Sequence, residues 1–85
     1  MMKEIIMITG ASSGMGREFA MQIEKKYQVD EIWVIARRKE RLESLKEKLQ
    51  TKVKICALDL TQKESFEIIQ EALFQEKPRV KALIN

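Results

Sequence analysis

The sequence predicts an α/β fold with a parallel, doubly wound sheet, and three observations carry that prediction. Short runs rich in Ile and Val alternate with longer stretches that are apolar every third or fourth residue. The connections between them are short, and parallel strands need a crossover element to join them. A turn holding all three glycines stands where the first run meets the first long stretch.

Taken in order, Lys3 to Ile8 reads as the first strand, followed by the turn Thr9-Gly10-Ala11-Ser12-Ser13-Gly14-Met15-Gly16. A helix then extends to about Gln28, with Met15, Phe19 and Ile23 at four-residue spacing on one face. Glu31 to Ala36 is the second strand. The second helix covers about Arg38 to Gln50, with Leu42, Leu45 and Leu49 as its buried stripe. In the third strand, Lys52 to Leu58, Val53, Ile55 and Ala57 alternate with Lys52 and Lys54. Thr61-Gln62-Lys63-Glu64 has the pattern of a capping box, in which the Thr hydroxyl and the Glu carboxylate satisfy open backbone N–H groups. The third helix starts there, with Phe66, Ile69 and Leu73 on its inner face, and Pro78 breaks it. Val80 to Ile84 begins a fourth strand. Right-handed crossovers then give strand order 3-2-1-4, with the first two helices on one face and the third on the other. This is an incomplete Rossmann-like sheet of four strands and three helices.

The 85 residues suffice for one small domain, read as residues 1–85 without a linker. With 45% hydrophobic and 34% charged residues, the composition is neither that of a disordered tail nor that of a membrane protein. The longest apolar runs, Ile5-Ile6-Met7-Ile8 and Ile32-Trp33-Val34-Ile35-Ala36, are far too short to span a bilayer, and no leader pattern opens the chain. The net charge of +3 is mild and mixed in sign, so nucleic acid is not an expected partner. A single cysteine, Cys56, precludes an internal disulfide and fits a reducing compartment, most simply the cytoplasm. The absence of histidine excludes histidine catalysis and histidine metal sites within these residues. Trp33, Phe19, Phe66 and Cys56 are expected in the core, and Arg17 facing solvent.

The glycine turn carries the chemistry. Gly10 permits a sharp exit from the strand, positive φ included. Gly14 lets a phosphate approach the backbone without meeting a Cβ, and Gly16 lets the helix pack close to the sheet. The helix start adds unpaired N–H groups and the positive end of its dipole, so a pyrophosphate is the natural guest. A mononucleotide phosphate loop would need Gly-Lys-Ser/Thr, whereas Arg17 and Glu18 follow Gly16 here.

Thr9 to Gly16 resembles the TGxxxGxG motif of the classical short-chain dehydrogenase/reductase family, and three later features fall in register over the whole chain. The resemblance implies that Gly10, Ser12, Ser13, Gly14, Met15 and Gly16 contact a nicotinamide dinucleotide, and that this is the N-terminal part of its binding domain. The first feature in register is Arg37. NAD-preferring folds end the second strand on an acid that binds the ribose hydroxyls, but this strand ends Ile35-Ala36-Arg37-Arg38. A guanidinium binds a 2′-phosphate that a carboxylate would repel, so NADP is expected ahead of NAD, with Ser12 and Ser13 as added hydroxyl donors. For Arg38, cofactor contact and a solvated helix start weigh equally. The second feature is Asp59-Leu60. The resemblance implies that Asp59 accepts from the adenine amino group and that the Leu60 N–H donates to the ring, Thr61 serving as the helix cap. The third is Asn85, which resembles the first residue of the family's Asn-Asn-Ala-Gly stretch.

The resemblance further implies an oxidoreductase whose catalytic Ser and Tyr-x-x-x-Lys pair lie past the fourth strand. Tyr27 does not fit that pair, because an acid stands where the lysine would be. The small-molecule substrate is therefore left open, and the 85 residues are expected to be inactive alone. A non-catalytic NADP-binding sensor or scaffold, or an inactive truncated fragment, is the alternative. The fourth strand is expected to leave an open edge and one sheet face to carry a single helix, which favours self-association.

Overall fold

A computed structural model describes residues 2–10 and 14–84, and for Gly14 and Met15 the backbone only. Its elements are β1 (Glu4–Thr9), α1 (Gly14–Lys26), β2 (Glu31–Ala36), α2 (Lys39–Lys48), β3 (Lys52–Ala57), α3 (Lys63–Glu76) and β4 (Arg79–Ile84). The four strands form one parallel sheet in the order β3-β2-β1-β4, as the alternating pattern predicts. Ile6 lies beside Ile32, which lies beside Val53, so the three strands keep matching residues on one face. β4 pairs with the other side of β1, with a register shift between Ile5 and Ile6.

Side chains alternate across a strand, so the two faces build two cores. On one face Ile6, Ile8, Ile32, Val34 and Val53 meet Ala20 and Ile23 of α1 and Leu42 and Leu45 of α2. On the other, Ile5, Met7, Trp33 and Ile35 meet Ile69, Ala72 and Leu73 of α3. All six residues of β2 are buried, which is the signature of a central strand covered on both faces. The stripe Leu42, Leu45 and Leu49 is buried as its spacing predicts.

Ile23, Ile69 and Leu73 pack against the sheet as their spacing predicts, but the two phenylalanines predicted beside them do not. Phe19 is 52% exposed and Phe66 54%, so neither is core. In α1 the contact is made by Ala20 and Ile23, and in α3 by Ile69, Ala72 and Leu73, while Ser65 is buried beside the exposed Phe66. A small residue brings the helix axis close to the sheet and turns the neighbouring Phe outward. Cys56 and Ile55 are half-buried and Ala57 is exposed, because β3 is an edge strand.

Helix ends also shift. The Thr61 capping box does not form: α3 begins at Lys63 with Gln62 at the cap and no side-chain cap bond. At the far end Lys77 is left-handed (φ 46°, ψ 49°) and its N–H bonds the Leu73 carbonyl at 2.8 Å before Pro78 stops the helix. Tyr27 lies just past α1, its N–H bonding the Ile23 carbonyl at 2.9 Å.

The N-terminal pole of the sheet carries a charged network. Glu31 faces Lys3 Nζ at 3.1 Å and Lys52 Nζ at 3.4 Å, and accepts from Trp33 Nε1 at 2.9 Å. Glu76, at the end of α3, pairs with Lys3 and Lys54. The network ties β2, β3, α3 and the residue before β1 together at the pole opposite the glycine turn.

Candidate functional site

Parallel strands place their exits side by side, and ligands of such sheets bind outside those ends. Three exits meet here. β1 leaves through Gly10, whose N–H donates to the Ile35 carbonyl at 3.0 Å. β2 leaves through Ala36 and Arg37, and the Ala36 carbonyl accepts from Leu58 N–H at 2.9 Å. β3 leaves through Leu58, Asp59 and Leu60. Together they wall a cleft of about 470 Å³ that Gly10, Arg37, Asp59, Leu60 and Thr61 line.

Four of the residues expected from sequence therefore converge: Gly10, Arg37, Asp59 and Leu60. Gly10 has φ +70°, a left-handed conformation that an L side chain resists, and among the described residues no atom beyond its chain neighbours lies within 4 Å of where a Cβ would stand. The sharp exit expected at Gly10 is therefore present. α1 begins directly after, at Gly14, with no acid in its first turn and Lys25 and Lys26 in its last. No nearby carboxylate of its own opposes an anion at its positive end. Gly16 is the third residue of that helix. Ser12, Ser13 and Asn85, with the Met15 side chain, fall outside the described residues.

The charges of the cleft are coupled. Asp59 Oδ1 accepts from the Thr61 hydroxyl at 2.6 Å and from the Thr61 N–H at 2.9 Å. These bonds, aided by the Arg37 guanidinium, hold the Asp59 carboxyl below the usual carboxylate range. Thr61 is therefore the partner of Asp59 and not a helix cap, which corrects the sequence expectation. The Asp-x-Thr spacing is itself a turn signature that could have revealed the pair. Arg38 stands at the cap of α2, its carbonyl accepting from Arg41 and Leu42 N–H at 3.2 and 3.3 Å, and its side chain is exposed.

A second cavity, about 280 Å³, lies under α3 between Trp33, Lys54, Cys56, Ile69 and Ala72. It holds none of the motif residues. Its cation, Lys54, is paired with Glu76 and sits 4.8 Å over the Trp33 ring. Burial pushes the Cys56 thiol up, away from the reactive thiolate. Among the described residues no group of side chains could hold a metal ion, and no helix is long and apolar enough to cross a membrane.

The sequence model of the family described as short chain dehydrogenase matches residues 4–85. Sulfoacetaldehyde reductase 2 of Chromohalobacter salexigens is 34% identical over 89 residues, which take in 99% of this chain and 33% of that protein. Dehydrogenase/reductase SDR family member 7 of Mus musculus is 32% identical over 88 residues, 95% of this chain and 25% of that one. Among solved structures, L-sorbose reductase from Gluconobacter frateurii, complexed with NADPH and L-sorbose, superposes with a TM-score of 0.77. It is 30% identical, and the match covers 99% of this chain and 33% of that one. Serine dehydrogenase from Escherichia coli gives 0.75 at 26% identity, with 93% and 36% covered. The chain thus spans about a third of the first relative and a quarter of the second.

Proposed function

The chain belongs to the short-chain dehydrogenase family, and on that footing we propose that it binds NADP(H) across the exits of β1, β2 and β3. It is then the cofactor-binding part of an oxidoreductase that moves hydride between NADP(H) and a carbonyl or alcohol substrate. When bound, the nicotinamide supplies the hydride. The chain's own residues bind and orient. The Gly10 corner and the amides at the start of α1 take the pyrophosphate, Arg37 the 2′-phosphate, and Asp59 with the Leu60 N–H the adenine. The first residue of the fourth-strand motif, Asn85, and the hydroxyls of Ser12 and Ser13 belong to the same proposal. So does a cytoplasmic location, which rests on the single cysteine.

The observation that carries the choice of NADP over NAD is Arg37. It lines the cleft immediately after β2, and no acid occupies residues 35–38. A hydrogen bond to a charged group contributes about 1.5–3 kcal/mol, roughly a tenfold to hundredfold preference. Titration of the protein with NADPH and NADH, before and after Arg37→Asp, tests it. The native chain is expected to favour NADPH by that factor, and the substitution to weaken or reverse the preference. Equal affinities before and after would defeat the Arg37 assignment.

A further inference from the structure

Asp59 and Thr61 stand on one wall of the cleft. Both Thr61 donors reach the same carboxylate oxygen, Oδ1, the hydroxyl at 2.6 Å and the N–H at 2.9 Å. The Asp59 carbonyl is held as well, by Gln62 N–H at 3.0 Å. The terminal torsion of an Asp is broad when nothing fixes it. Two donors converging on one oxygen fix it, and they leave Oδ2 with its acceptor capacity. The hydroxyl contact is the shorter of the two, and it is the one a side-chain change can remove.

We propose that Thr61 is a positioning residue for base selection: its hydroxyl sets the Asp59 carboxylate so that Oδ2 accepts from the 6-amino group of adenine. The inference rests on the dinucleotide reading of the cleft. Its consequence is discrimination between purines. A 6-amino group donates to a fixed carboxylate. A 6-oxo group presents an acceptor to it, leaving two acceptors face to face. A freely rotating Asp59 would tolerate the 6-oxo base by turning away, at little loss. A fixed one cannot.

The test is the ratio of two dissociation constants on one sample, for NADPH and for its hypoxanthine analogue. The ratio cancels any difference in the folded fraction, so a partly unfolded variant still reports. The native chain is expected to prefer the adenine form. The Thr61→Val variant keeps the shape and the backbone bond but lacks the hydroxyl. Its affinity for NADPH is expected to fall about two- to tenfold, because the lost bond is solvent-exposed and of ordinary strength. Its affinity for the analogue is expected to hold, so the ratio narrows. The Thr61→Ser variant is expected to restore it. Should Thr61→Val prove too unstable to titrate, Thr61→Ala removes the same hydroxyl.

A loss shared equally by both ligands, or no loss, overturns the positioning role and leaves the cofactor reading standing. A native chain that binds both ligands equally overturns the adenine assignment of Asp59 and this inference with it. A native chain that binds neither overturns the cofactor reading itself.

Discussion

Glu31 offers a graded test of what holds the sheet together. It opens β2 and is 6% exposed. Burial works against its charge, but the bonds from Trp33 Nε1 and Lys3 Nζ outweigh it and hold the carboxyl below its ordinary range. The Glu31→Gln change removes the charge and keeps an oxygen for Trp33. Lys3 retains Glu76, and Lys52 is 77% exposed, so its pair with Glu31 contributes little. The cost should therefore be about 1–2 kcal/mol. The Glu31→Ala change also strips the acceptor from an indole N–H whose residue is 0% exposed. A buried unsatisfied donor adds about 1–3 kcal/mol, for a total of about 2–4 kcal/mol. Trp33→Phe removes that donor, so the double change Glu31→Ala/Trp33→Phe should cost less than the sum of its parts by about 1 kcal/mol or more. Urea unfolding followed by far-ultraviolet circular dichroism suits the cycle, because Trp33 is the single tryptophan and its fluorescence is lost in half the variants. Equal costs for Gln and Ala, together with strict additivity in the cycle, would refute the reasoning.

The same network sets the pH dependence of stability. Glu76 is held below the usual carboxylate range by the bonds from Lys3 and Lys54, and Glu31 by those from Trp33 and Lys3 against its burial. As pH falls, the unfolded chain protonates these groups first, so stability is full above about pH 5 and is lost through and below the ordinary carboxylate value. Lys3 is raised, chiefly by its bond to Glu76, so its contribution is complete below its ordinary value and is lost as pH climbs through the raised one. Urea midpoints across that range should show a plateau with both limbs falling, and Glu76→Gln should flatten the two limbs; a midpoint that does not respond would contradict it. The Gly10→Ala change meets open space but a left-handed backbone, so it should cost about 1–2 kcal/mol of stability. On the proposed reading it should also weaken NADPH binding by about tenfold or more, since a strained strand exit would displace the turn assigned to the pyrophosphate. Calorimetric titration that finds the affinity unchanged would remove Gly10 from the site.

Much of this fold was legible because local rules and global packing agree. Ile32 to Ala36 is apolar without alternation, as a strand covered on both faces must be, and Leu42, Leu45 and Leu49 mark a single buried side. Phe19 and Phe66 misled for a physical reason. A helical period places residues on a common stripe, but it does not say whether the large or the small members of adjoining stripes meet the sheet. Here Ala20 and Ala72 do. Of the site, the glycine corner, Arg37 and Asp59 were legible because each sits at a strand exit, where parallel topology gathers residues distant in sequence. Thr61 was misread because a Thr three residues before a Glu fits a capping box, while an Asp two residues before that Thr competes for the same hydroxyl and wins. The chain Lys52–Glu31–Lys3–Glu76–Lys54 joins β2, β3, α3 and the residue before β1, and no spacing rule pairs charges across such distances.

The most direct test of the central claim, that the strand exits grip a dinucleotide, is an amide-resolved NMR titration of the isotope-labelled chain with NADPH. Shifts are expected at Gly10, Gly14, Gly16, Arg37 and Leu60, with Lys3, Lys52 and Lys77 at the opposite pole unmoved. Perturbations gathered at that opposite pole, or none anywhere at saturating NADPH, would contradict the account.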